Sequence, residues 1–316
     1  MVVGIIIGIV VVIVLGISWH LANVALHPQV KPVERTYKIE ADAGKLEPER
    51  FEALPREEVR IASPYGYELY GLYFPVEESH RTVIIAHGVT FSLYGSVKYM
   101  WMFRERGFNV LMYDHRNHGR SGGETTTYGY YEKHDLKACV DWVLARHGER
   151  GIVGVHGESM GAAIALQHAA IDPRVHFVVA DCPYASVWEQ FAYRIKVEYH
   201  LPAFPILPIA SWFSQLRAGF NFKDAAPIDT ISKVDTPIFF IHGKEDDYIP
   251  PQASIDMYMR KPGAKKLYLA PNARHAEAFW NNQFEYDRLL GEFLEEVGVI
   301  YQRLDKPAQT LSIRNV

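Results

Sequence analysis

Short apolar runs alternate along this chain with longer amphipathic stretches. "EEVRIAS" (57–63) and "YELYGLYF" (67–74), separated by "PYG", predict an antiparallel hairpin. "TVIIAHG" (82–88), "NVLMYD" (109–114), "GIVGVHG" (151–157), "HFVVAD" (176–181), "TPIFFIHG" (236–243) and "KKLYLAP" (265–271) follow. Each is short and apolar, as a strand covered on both faces should be. Between and after them, helices are predicted near 96–106, 132–147, 161–171, 251–260 and 278–297. Apolar strands alternating with helices indicate an α/β fold, with a mainly parallel sheet and helices on both faces. Such sheets bind ligands at the carboxyl ends of their strands.

The first residues break this pattern. From Met1 to Leu26 no formally charged side chain occurs if His20 is neutral. About 20 such residues rise far enough as a helix to cross a bilayer, so 1–26 is read as a transmembrane anchor, with Trp19 suited to the interface. A signal peptide would need a basic start and a small-x-small cleavage site, and neither is evident. Lys31, Arg35 and Lys38 follow the segment, and this positive-inside bias places the body on the cytoplasmic side. Residues 27–56 carry Pro28, Pro32, Pro48 and Pro55 among mixed charges and read as a linker with one short helix near "PERFEAL". The globular body is expected over 57–298, followed by a polar tail, 299–316.

Composition narrows the function. The 316 residues are 48% hydrophobic, enough for a full core, and a net charge of −4 gives no field suited to nucleic acid. Cys139 and Cys182 suggest two buried thiols and no disulfide framework. No phosphate loop or dinucleotide fingerprint is present.

The chemistry gathers where strands end. Gly157-Glu158-Ser159-Met160-Gly161 has the G-x-S-x-G pattern between a predicted strand and a predicted helix, a turn that lifts a serine hydroxyl above the sheet. A nucleophilic serine needs a base, and the base needs an orienting carboxylate. "HGKEDDYIP" leaves one late strand with Asp246 and Asp247, and "NARHAEAF" leaves the next with His275. Asp181, at the end of an earlier strand, is a further candidate for the acid. His115 and His118 form an H-x-x-H pair without a third ligand, which argues against metal.

These segments, with "AHGVT" (86–90) and "DHRNHGRSGG" (114–123), resemble the α/β-hydrolase superfamily of serine esterases, lipases and peptidases. The resemblance covers residues 57 to 298. It implies an α/β-hydrolase fold, Ser159 as nucleophile, Asp246 as acid and His275 as base. It also implies an oxyanion hole from the amides of Met160 and Val89, with Thr90 as the alternative to Val89. "HGVT" departs from the HGGG run of some lipases. His87 is expected to brace that loop, and Asp114 and Arg116 to tie theirs to its neighbours. No cofactor or metal is called for.

Between 184 and 225, where the family carries a cap, an irregular insert is expected. It holds ten aromatic side chains from Tyr184 to Phe222, and Pro202, Pro205 and Pro208 should interrupt regular structure. The insert is either a small packed subdomain or a cap whose apolar underside holds an acyl group. The expected activity is hydrolysis of a small-molecule or lipid-like ester of an apolar acyl group. Acyl transfer, thioester or peptide cleavage with the same triad, and a non-catalytic docking module, are the alternatives.

Overall fold

The computed structural model describes residues 1–300; the expected polar tail lies outside the described residues from 301 onward. Three helices come first: α1 (Val2–Leu26), α2 (Val33–Asp42) and α3 (Pro48–Glu52). An eight-stranded sheet follows, built from β1 (Glu57–Ala62), β2 (Glu68–Phe74), β3 (Arg81–Ala86), β4 (Asn109–Tyr113), β5 (Ile152–Glu158), β6 (Phe177–Asp181), β7 (Ile238–Gly243) and β8 (Lys265–Ala270). The strand order is β1-β2-β4-β3-β5-β6-β7-β8. β2 pairs antiparallel with β1 and β4, and every other pair is parallel. This is an α/β-hydrolase fold.

The remaining helices are α4 (Val97–Glu105), α5 (Glu132–His147), α6 (Met160–Ala169), α7 (Val187–Tyr199), α8 (Ile206–Ala218), α9 (Pro227–Thr230), α10 (Gln252–Arg260), α11 (Ala278–Asn281) and α12 (Gln283–Glu296). They cover the sheet on both faces. Leu136, Val140, Ile164 and Leu166 belong to the core of one face, and Met100, Phe103, Leu290 and Phe293 to that of the other. β3 and β4 are buried along nearly their whole length, which is why they read as unbroken apolar runs.

Two expectations change. The stretch 27–56 contains a second helix, α2, and is bound to the body. Phe51 is fully buried between Phe74, Tyr37 and Tyr94, and burial of such a ring contributes about 1.5–3 kcal/mol. α2 turns Thr36 and Glu40 inward, and Thr36 Oγ1 bonds Ser92 Oγ at 2.5 Å. Tyr37 and Ala41 share this inward face, and the polar Thr36 and Glu40 break its apolar stripe.

The insert is likewise more regular than expected. Between β6 and β7 it forms α7 and α8. Pro208 sits in the first turn of α8, where a backbone N–H has no intrahelical partner, so the ring removes nothing the helix needs.

Candidate active site

β5 ends at Glu158 and α6 begins at Met160, leaving Ser159 alone to make the turn. It does so with φ 54° and ψ −115°, a conformation costing about 1–3 kcal/mol for a residue with a side chain. The Ser159 amide donates to the Asp181 carbonyl at 2.8 Å and fixes the turn to the neighbouring strand. Glycine is required on both sides. A Cβ at Gly157 would lie 2.3 Å from the Gly161 carbonyl oxygen, and one at Gly161 would lie 2.1 Å from that of Ala86.

His275, in the loop after β8, reaches this serine. Its Nε2 is 2.9 Å from Ser159 Oγ, and its Nδ1 is 2.7 Å from Asp246 Oδ2. The carboxylate can only accept, so Nδ1 carries the proton and Nε2 is left to accept from the hydroxyl. Asp246 follows β7 and is itself held from several sides. Its Oδ1 accepts from the amides of Tyr248 and Ile249 at 2.9 and 2.8 Å. Burial alone would raise its carboxyl pKa, but hydrogen bonds from His242 and His275 and from the Ile249 amide prevail and hold it well below the usual carboxylate range.

His242 was not anticipated as part of this site. It is buried on β7, with Nε2 3.2 Å from Asp246 Oδ2 and 2.8 Å from the Ile249 carbonyl, while Nδ1 meets Ser254 Oγ at 2.7 Å. The signal for it lay in "HGKED", where a histidine precedes the aspartate by four residues across a tight turn. The other two candidate acids lie elsewhere. Asp247 is exposed and pairs with Arg274 at 3.4 Å. The Asp181 carboxyl is buried, and Oδ2 accepts from Tyr99 and Tyr286 at 3.2 and 3.1 Å.

Val89 and Met160 both line the cavity above Ser159. The Met160 amide is at the first turn of α6, where helix N–H groups point outward unpaired. The Thr90 amide donates to His118 Nε2 at 3.2 Å, whereas that of Val89 makes no hydrogen bond among the described residues. Of the two amides, that of Val89 is the one left without an acceptor among the described residues.

Three histidines brace that loop. His87 Nε2 accepts from the His115 amide at 3.1 Å, and its Nδ1 meets the Gly88 carbonyl at 2.7 Å. His115 Nε2 donates to the His87 carbonyl at 3.0 Å, and His118 Nδ1 to that of Arg116 at 2.9 Å. Burial lowers the pKa of all three, His115 to about 3, which keeps the rings neutral. Asp114 accepts from the Leu93 and Arg120 amides at 2.7 and 2.8 Å, while the Arg116 guanidinium stacks 4.8 Å over the Tyr131 ring.

Behind the serine lies a buried charge cluster. Lys98 Nζ is 2.5 Å from Glu158 Oε2, which also accepts from Tyr99 at 2.5 Å. Glu40 of α2 is buried close by and, with Asp181, completes the set. Burial would lower the Lys98 pKa, but Glu158 and Glu40 raise it and keep it charged. Burial and the Glu158 charge push Asp181 up to about 6. Cys182, Asp246 and His275 offer ligand atoms within 4.8 Å of one another. This trio fits a metal poorly: Asp246 and His275 already bond each other, and burial keeps the Cys182 thiol protonated.

Ser159 opens on a cavity of about 310 Å³, within the lower range of ligand clefts. Val187, Phe191 and Ile195, spaced four apart, turn one stripe of α7 toward it. Leu21, Val24 and Ala25 of α1 form another wall.

The model of the alpha/beta hydrolase fold family matches residues 81–200. YqkD of Bacillus subtilis, an uncharacterized protein, is 41% identical over 293 residues, covering 92% of this chain and 96% of its own. The thiohydrolase aneE of Aspergillus aculeatus is 22% identical over 285 residues, covering 72% of this chain and 89% of that protein. Among solved structures, the Pyrococcus furiosus esterase Pf2001 superposes with a TM-score of 0.63 at 28% identity, covering 79% of this chain and 94% of that one. Strand order, glycine-flanked serine turn and relatives agree: the chain belongs to the alpha/beta hydrolase fold family.

Proposed function

We propose that this protein is a membrane-anchored serine hydrolase acting on carboxylic esters of apolar acyl groups. The observation that carries the reading is the hydrogen-bonded series Asp246–His275–Ser159 opening on an apolar cavity. Ser159 Oγ attacks the ester carbonyl as its proton passes to His275 Nε2. Asp246 holds the imidazole tautomer and offsets the charge that develops on the ring. The amides of Val89 and Met160 receive the oxyanion, each such donor contributing about 3 kcal/mol in measured cases. The carbon–oxygen bond then breaks, and the leaving alcohol takes the proton from His275. Water, activated by the same base, releases the acid and restores the serine.

The esterase Pf2001 supports ester chemistry. The thiohydrolase aneE favours keeping thioester cleavage as a second reading, since a thiolate leaves through the same steps. Labelling with a fluorophosphonate is the direct test. The wild type should be labelled at Ser159 and Ser159→Ala should not; an unlabelled, folded wild type would remove the nucleophile assignment.

For the anchor, support comes from α1, whose most apolar window has a mean hydropathy of 3.0 and is 6% buried. The full chain should stay with membranes through carbonate extraction. Recovery of a form lacking the segment would point instead to a cleaved signal.

A further inference from the structure

The helix read as an anchor is also a wall of the candidate active site, and this suggests where the substrate comes from. α1 is exposed over its first four turns, with Ile5, Ile9 and Ile13 each more than half exposed. Its last turns are different. Ser18, Ala22, Ala25 and Leu26 are buried, and this end of the helix lies along α8. Trp19 meets the Phe213 ring edge-on at 5.1 Å, and Arg217 Nη2 donates to Asn23 Oδ1 at 3.0 Å. Tyr128 OH donates to the Ala25 carbonyl at 3.0 Å, and Tyr128 lines the same cavity as Ser159. One face of α1 is thereby fixed against the body, with Leu21, Val24 and Ala25 in the cavity wall.

The cavity reaches the surface beside this helix. Val24 of α1 and Tyr199 at the end of α7 both line it, yet are 42% and 43% exposed. Leu15 is an exposed apolar residue, and Leu21 follows it by about 9 Å along the axis at 1.5 Å per residue. A bilayer has an apolar core of about 30 Å and roughly 6 Å of headgroups on each side. With residues 2–21 spanning the core, about 30 Å of helix at 1.5 Å per residue, Leu21 lies at the edge of the core and Val24 about 4.5 Å beyond it, so the opening lies at headgroup depth. The surface around it suits that depth. Trp19, Val197, Trp212 and Leu216 are exposed, and Arg217 lies 4.6 Å over the Trp19 ring, where a cation can meet lipid phosphates.

We propose that the opening between α1 and α7 is a lateral port to the bilayer, and that the substrate is a long-chain acyl ester of a membrane glycerolipid. The proposal rests on the reading of Ser159 as nucleophile and α1 as anchor. The acyl chain slides from the lipid along Leu21, Val24 and Ala25 onto the Val187–Phe191–Ile195 stripe. Its ester carbonyl then meets Ser159, the glycerol hydroxyl departs with the proton from His275, and water releases the fatty acid.

The test uses the full chain in vesicles of phosphatidylethanolamine and phosphatidylglycerol, with labelled oleoyl chains either on the phosphatidylglycerol or on added dioleoylglycerol. The wild type should release oleate from at least one of the two, and which one identifies the headgroup accepted. Leu21→Trp combined with Val24→Trp narrows the port. It should lower the ratio of oleoyl-ester to butyryl-ester kcat/KM by about tenfold or more. Fluorophosphonate labelling of Ser159 in the same vesicles keeps the readings separate. Labelled enzyme with an unchanged ratio, or with no lipid hydrolysed, overturns the port while leaving the nucleophile standing; absence of labelling in the wild type removes both. An acylated peptide thioester cleaved in place of lipid overturns the substrate class. In the wild type alone, a diazirine-bearing oleoyl ester should cross-link within 21–25, and cross-links confined to the first four turns of α1 would also overturn the proposal.

Discussion

Asp246→Asn is expected to lower kcat on a soluble short-chain ester by about 10⁴-fold, as loss of the acid does in a comparable triad. Ser159→Ala should cost about 10⁶-fold, leaving what the oxyanion donors and substrate binding supply unaided. The carboxylate of Asp246 accepts from His275 Nδ1 at 2.7 Å and is fixed by two backbone amides. An amide in its place turns an NH₂ toward the ring as readily as an oxygen. The imidazole then favours the tautomer with the proton on Nε2, which cannot accept from Ser159. Asp247→Asn changes an exposed side chain, and Asp181→Asn keeps an acceptor for Tyr99 and Tyr286; both should stay within about tenfold of wild type. Steady-state kinetics on the four variants decides the matter. A crippled Asp181→Asn beside an active Asp246→Asn would move the acid to β6.

Ser159, Asp246 and His275 could be read as neighbours because parallel pairing of β5, β6, β7 and β8 brings their carboxyl ends together. Runs of β-branched and aromatic residues specify such strands locally, and the turn glycines mark where they stop. Features that depend on long-range partners were not legible. Helix α2 faces inward with Thr36 and Glu40, whose partners Ser92 and Lys98 lie more than fifty residues away. His242 looked like part of a buried strand until the loop after β7 folded Asp246 back over it. The last turns of α1 show the same limit. An apolar helix face looks alike in sequence whether lipid, protein or an acyl chain covers it, so the part of α1 that walls the cavity reads simply as more anchor. Nothing in the residues around Ser159 announces Lys98 either.

Lys98→Met is expected to destabilise the protein by about 3–5 kcal/mol, because it strands buried carboxylates without their cation. Lys98 Nζ sits 2.5 Å from Glu158 Oε2, with Glu40 and Asp181 adding negative charge around the same group. Glu40 Oε2 and Asp181 Oδ1 are buried without a hydrogen-bond partner among the described residues, so the cluster has little capacity to absorb the loss. With the ammonium gone, the carboxyls rise in pKa and must bind protons or pay for burial as anions. A raised folded pKa stabilises at low pH and is lost as pH rises, so the deficit of the variant should shrink on acidification through the carboxyl range. Activity should suffer beyond stability. A side chain at Gly88 would lie 3.5 Å from Glu158 Oε1, which puts this carboxylate beneath the loop that presents Val89. An unneutralised anion there opposes the oxyanion proposed to bind at the Val89 and Met160 amides. Glu158→Gln in the same chain removes the nearest stranded charge, leaving Glu40 and Asp181, and removes the repulsion. Urea unfolding in detergent and kcat on a short ester, measured for both single variants and the double, should therefore give a double variant that is more stable and more active than Lys98→Met alone. Additive losses in both measurements would mean that the ion pair does not couple to the serine turn, and that Lys98 acts there only by filling space.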